Sequence, residues 1–274
     1  MGPFYRQGDT KMKKNVAILM SVLLLMTALL GCSGGAKQTV AAPQTDSQAI
    51  QAKGKLIVGI TDFAPMDYVG DNGDWIGFDA DLARAFAESL GVTAEFTVID
   101  WDNKTMELDA GNIDCIWNGM TLTDGVKAAM QTSKPYCGNA QVVVAAKDKA
   151  SNLDYGAVTF AVEAGSAAEE LAQEKGWQVV SMQSQGDALL EVASGSSDAC
   201  IIDQLMAGAM IGEGTSYPDL VLVESLNAEE YGVGFRKGSD LAAMLDSFLD
   251  EKFADGTLAQ IAARYGIDTK LIAR

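Results

Sequence analysis

The chain has 274 residues, enough for one large or two modest domains and for a core that folds without staples. It carries a net charge of −17 and no histidine, which excludes His-based triads, His-ligated metal sites and binding of nucleic acid through general electrostatics. Hydrophobic residues make up 48%, an ordinary globular share.

Residues 1–31 read as an export signal. Lys11, Lys13 and Lys14 form a basic n-region, and an apolar run over 16–30 is too short for a comfortable membrane span. Leu29, Leu30, Gly31 and Cys32 then resemble the lipobox of bacterial lipoproteins, which implies cleavage before Cys32 and diacylation of its sulfur. Met12 is a candidate true start. Losing Arg6 and the three lysines against Asp9 leaves the mature chain more acidic still, so membrane attachment falls to the lipid on Cys32. Residues 32–52, rich in Gly, Ala, Gln, Ser and Thr, read as the lipidated cysteine and a flexible tether.

A buried strand is expected over 56–60, then a loop, then a hairpin turning at Asp71, Asn72, Gly73 and Asp74. Residues 78–90 have an apolar face of Leu82, Ala85, Phe86 and Leu90, with Asp79 and Asp81 in the first turn and Gly91 as the stop: an amphipathic helix. A strand follows over 94–99, and Asp100, Trp101 and Asp102 lead into a helix ending at Gly111. Residues 114–126, DCIWNGMTLTDGV, read as a short buried strand, a polar break at Asn118 and Gly119, and a helix start at Thr121 and Thr123. The end of such a strand is where an open α/β sheet holds a ligand.

This layout recurs. Glu107 and Gly111 precede Asp114, Cys115 and Ile116 as Glu191 and Gly195 precede Asp198, Ala199, Cys200 and Ile201, with strand ends at Asn118 and Asp203. Two such units point to two α/β lobes facing one cleft. Further strands are expected at 141–146, 158–162, from 179, 220–223 and 231–235, and helices at 187–193, 240–253 and 257–265. Ser166 and Glu169 form a capping box that opens another helix. The alternation predicts mostly parallel sheets. Cys115 and Cys200 read as buried strand thiols and Cys137 as a loop residue; no CxxC spacing suits a metal, and nothing selects a disulfide pair.

KLIVGITDFAPMDYV, GFDADLARAFAESLG, NGMTLT, FAVEAGSAAEE, DACIID and YGVGFRKGSDL, in that order, resemble the polar amino-acid family of solute-binding proteins that serve ATP-binding-cassette importers. The resemblance covers about 53–270 and implies a type II periplasmic-binding-protein fold, with 53–141 plus 236–274 as one lobe and 142–235 as the other. It also implies hinges near 137–143 and 231–236, no cofactor or metal, a monomer, a permease partner and a place outside the cytoplasm. Phe63 and Trp101 match aromatics that sandwich the ligand. Asn118, Gly119 and Thr121 match contacts to its backbone groups, Ser166 and Ala167 a carboxylate-binding helix N-terminus, and Asp203 the acid that pairs with its ammonium.

Val126 departs from the family pattern, which puts there an Arg that clamps the ligand carboxylate. Lys127, Lys134 or backbone N–H groups replace it, or the ligand is an amine without a standard carboxylate. The scaffold also resembles periplasmic cyclohexadienyl dehydratases, for which Asp62, Glu163 and Asp203 are the carboxylates to examine, with a solvated Glu163 as the plainer expectation.

Overall fold

Residues 45–274 are described by the computed structural model, and no helix among them is long and apolar enough to cross a membrane. The signal segment, Cys32 and most of the tether fall outside these residues. Helix α1 (Asp46–Lys53) corrects the reading of 32–52 as tether throughout. Thr45 and Gln48 form a reciprocal capping box, Gly54 closes the far end with φ 74°, and Ile50 is buried in the core. Ser47 N–H donates to Asp240 at 3.0 Å, and Asp46 sits 3.3 Å from Arg236. A tether-like composition thus hides a helix that tertiary contacts retain.

The chain continues with β1 (Lys55–Ile60), a hairpin of β2 (Tyr68–Val69) and β3 (Trp75–Ile76), α2 (Phe78–Ser89) and β4 (Thr93–Val98). A 3-10 turn at Trp101–Asn103 runs into α3 (Lys104–Asp109), followed by β5 (Cys115–Thr121), α4 (Asp124–Ala129), β6 (Gln131–Thr132) and β7 (Cys137–Asn139). Then come β8 (Gln141–Ala146), β9 (Thr159–Glu163), α5 (Ala167–Glu174), β10 (Gln178–Met182), α6 (Gln185–Ser194), β11 (Ala199–Asp203), α7 (Gln204–Met210) and β12 (Leu220–Ser225). The chain closes with β13 (Glu229–Phe235), α8 (Leu241–Ala254) and α9 (Thr257–Arg264).

These strands build two mixed sheets, one per lobe. The first runs β4-β1-β5-β13-β6, with β7 also on β13; the second runs β10-β9-β11-β8-β12. In each, the three strands tied by helices are parallel, as the alternation predicts, and the crossover strands β13 and β8 lie antiparallel to them. β5 and β11, the two similar units, hold matching central positions. The run VVVAA in β8 is apolar throughout because both faces are covered: Val142 and Val144 pack on one side, Val143 and Ala145 on the other.

Three expectations change. Strand β5 does not break at Asn118 and Gly119 but continues to Thr121, because β13 pairs with it from Tyr231↔Thr121 to Phe235↔Cys115 across one irregularity. Thr121 is therefore a strand residue, and Thr123 is the N-cap of α4, its hydroxyl accepting from Val126 N–H at 3.2 Å. β13, placed with the second lobe on sequence, lies in the first sheet because Tyr231, Val233 and Phe235 bury in that lobe's core. The crossings are accordingly Ala140, between β7 and β8, and 226–228, between β12 and β13. Cys137 is a strand residue, and Cys115, Cys137 and Cys200 are all buried free thiols. Burial pushes the Cys137 thiol up to about 12.

Candidate ligand cleft

A cavity of about 200 Å³ opens between the lobes. Phe63, Trp101, Asn118, Gly119 and Thr121 line it from the first lobe, and Ser166, Ala167 and Asp203 from the second. Asn118, Gly119 and Thr121 sit in the last part of β5, Asp203 ends β11, and Ser166 and Ala167 open α5, the strand ends and helix starts at which open α/β sheets present ligand sites.

The first-lobe wall is held from behind. The Asn118 side-chain oxygen accepts from Thr61 N–H (2.9 Å) and Thr61 Oγ1 (2.6 Å), and its amide donates to Thr61 O (3.0 Å) and Asp67 (2.8 Å). Those four bonds use the whole amide, so Asn118 shapes the cavity without a spare side-chain group to offer it. Gly119 N–H likewise donates to Asp79, at 2.7 Å. Gly119 has φ +55°, and a Cβ there would meet Phe63 Cε1 at 2.5 Å; glycine lets the Phe63 ring lie against the backbone. Tyr136 OH donates to Asp79 at 2.8 Å, and burial lifts Asp79 to about 7 despite these donors.

The hinge-side wall is a network around two acids. Asp203 N-caps α7 by position, but its side chain makes no capping bond. It accepts instead from Tyr231 OH (2.8 Å), Gln141 (3.0 Å), Asn139 and Gln185, while its own N–H donates to Gln185 Oε1 at 2.9 Å. Glu229 accepts from Asn139 (2.6 Å), Gln141 (2.8 Å) and Thr121 (2.8 Å). Burial, then the adjacent Glu229 charge, push Asp203 up to about 8. Gln141 Oε1 is buried without a partner. None of Asn139, Gln141, Gln185 and Glu229 carries a sequence signal; Asn139, Gln141 and Glu229 meet because both crossovers converge on the end of β11, and Gln185 reaches it from the start of α6.

Glu163 is not solvated. It ends β9 buried, pairs with Met182 of β10, and is covered by Lys104 and Gln185. Burial, then the Asp203 charge, push it up to about 8. Asp62 is exposed and outside the cavity lining. Ser166 N-caps α5, its hydroxyl accepting from Glu169 N–H at 3.2 Å. The return half of the expected box shifts by one residue: Glu169 accepts from Gly165 N–H at 2.8 Å, because Ser166 N–H is already spent on Glu163 O.

Val126 does line the cavity, and neither lysine proposed to replace its missing charge does. Lys134 lies 3.6 Å from Asp250, and Lys127 is exposed on a separate groove. Sequence reasoning missed Lys104, whose ammonium lies 4.9 Å over the Trp101 ring and donates to Gly165 O across the cleft at 2.7 Å.

Two α/β lobes joined by two crossings, with a polar cavity between them, define a bilobal solute receptor. The profile of the bacterial extracellular solute-binding proteins, family 3, matches residues 56–268, and the chain belongs to that family. It is 28% identical over 264 residues to the arginine-binding extracellular protein ArtP of Bacillus subtilis (strain 168), covering 93% of this chain and 98% of that protein. A substrate-binding protein of an ABC uptake transporter from Streptococcus pneumoniae, solved with bound histidine, superposes with TM-score 0.76 at 27% identity over 84% of this chain and 99% of its own. The ancestral amino acid-binding protein AncCDT-1, described as a precursor of cyclohexadienyl dehydratase, superposes with TM-score 0.72 at 29% identity over 80% and 98%.

Proposed function

We propose that this protein captures an amino acid or closely related amine outside the cytoplasm and delivers it to an ABC permease, working as a monomer tethered by lipid on Cys32. The observation that carries the reading is Asp203: a buried carboxylate in the cavity wall, held in place by four side-chain donors and lacking a cation of its own. An ammonium entering the cavity supplies that cation. Phe63 and Trp101 flank the apolar part of the ligand, and Thr121, Ser166 and Ala167 complete the wall.

The test is thermal unfolding of the fragment starting at Ser33 against amino acids and their decarboxylated amines, each at about 1 mM. A micromolar ligand adds roughly 4 kcal/mol and raises the midpoint by about 8–16 °C. Silence across the panel sinks the proposal. A pH dependence should accompany binding. Empty Asp203 holds its proton up to about pH 8, whereas an ammonium favours the ionised form. Affinity should therefore rise with pH up to about 8, and calorimetry in buffers of different ionisation heat should register proton release. Affinity that falls over this range contradicts Asp203 as the ammonium partner.

Glu163 favours a second reading. A cavity acid pushed up to about 8 keeps a proton at neutral pH, which supports a general-acid role in a dehydratase. Incubation with prephenate or arogenate decides it: aromatic product forming at a rate that Glu163→Gln abolishes supports the enzyme, and no product beside a thermal shift with amino acids leaves the receptor.

A further inference from the structure

Lys104 is the basic side chain of the cavity wall among the described residues. It opens α3 in the first lobe and is only 9% exposed. Its ammonium donates to Gly165 O at 2.7 Å and to Trp101 O at 3.2 Å. An ammonium has three donors, so one is left over, and both acceptors are neutral carbonyls. No carboxylate among the described residues comes within ion-pair distance of it. The acids that act on it from further away are, in order, Glu163, Asp102, Glu170 and Glu169; burial pushes Glu163 up to about 8, and Asp102 and Glu170 are exposed. A buried ammonium with neutral partners and a spare donor is costly until an anion joins it.

The surroundings suit an anion. Gly165, which Lys104 grips, leads directly into Ser166 and Ala167 at the start of α5, where first-turn N–H groups favour negative charge, part of which Glu169 and Glu170 of that turn already supply. The acidic network of Asp203 and Glu229 lies at the crossings instead. The cavity wall thus offers a spare ammonium donor at Lys104 and, at Asp203, a carboxyl that an incoming ammonium would ionise. We infer that Lys104 receives the carboxylate of the bound solute, doing from α3 what an arginine at position 126 would do from α4, so that the ligand is a zwitterionic amino acid and not a simple amine. This rests on the amino-acid or amine reading above and narrows it.

Calorimetry of the mature chain with L-arginine, agmatine and L-argininamide, and with L-histidine and histamine, tests the inference. The wild type should bind whichever amino acid it accepts about 100-fold more tightly than the matching amine or amide. Lys104→Met should bring that ratio to within about threefold by weakening the amino acid alone, and Lys104→Arg should restore most of it. A structural role for Lys104 would weaken acid and amine alike, which overturns the inference while the receptor reading stands. Equal binding of amino acid and amide by the wild type overturns it too, and needs no variant to fold. Binding of none of these probes, nor of any member of the thermal panel with its matching amine, overturns both readings.

Discussion

Asp203→Asn should weaken binding of any ammonium-bearing ligand by about 100-fold or more, the cost of removing one partner of a buried charge pair. The substitution removes the charge and does more. Four side-chain donors converge on the Asp203 oxygens, and an Asn amide would turn one oxygen into a donor facing a donor. Calorimetry against the best ligand of the thermal panel gives the number, and affinity kept within about threefold would remove Asp203 from the site. Glu229→Gln is the informative partner. It keeps an oxygen for Asn139, Gln141 and Thr121 but deletes the charge that helps raise Asp203. The pH below which ligand affinity declines should then move down from about 8.

Gly77→Ala is expected to cost about 4 kcal/mol or more of folding stability, at the top of the range for point changes. Gly77 has φ +129°, and a Cβ there would sit 2.1 Å from Met66 O and 2.5 Å from Met66 C. The obstacle is backbone, so no side chain can swing aside. Met66 O also accepts from Asp79 N–H at 2.9 Å, and Asp79 in turn holds Gly119 N–H; the damage therefore runs from a turn to the cavity wall. Urea unfolding measures it. Gly111→Ala is the control: φ +77° with open space around it, worth about 1 kcal/mol. A Gly77→Ala loss no larger than the control's would refute the steric argument.

The local signals in this chain were legible where they are complete within a few residues. The amphipathic face of α2, the glycine stops at Gly111 and Gly195, and the Ser166 cap all appear where periodicity and capping chemistry put them. What failed was non-local. The continuation of β5 past Asn118 depends on a ladder to β13, more than a hundred residues away, and no property of NGMTLT shows it. Helix α1 was hidden because Gln, Ser and Ala suit a tether as well as a helix, and only Ile50 reaches the core. In the site, residues at strand ends and helix starts could be named from sequence. The amides around Asp203 could not, nor could Lys104, whose importance comes from a carbonyl on the opposite lobe. Glu163 was misjudged for the same reason: a strand-end acid is solvated unless another lobe covers it.

The bonds around Ala140 have a mechanical meaning. Asn139 precedes it on β7, Gln141 follows it on β8, and each donates to both Asp203 and Glu229. Glu229 itself begins the strand that returns from the other crossing. The acid pair therefore pins together the two straps that join the lobes, like a rivet through a pair of scissors, and were the lobes to swing about those straps, displacement would be least there. An ammonium held by Asp203 would stay gripped while the blades part. The Lys104–Gly165 bond joins the blades themselves and would break first on opening. On the proposed reading, release would have an order: the Lys104 end would let go as the jaws separate, and the ammonium would leave last.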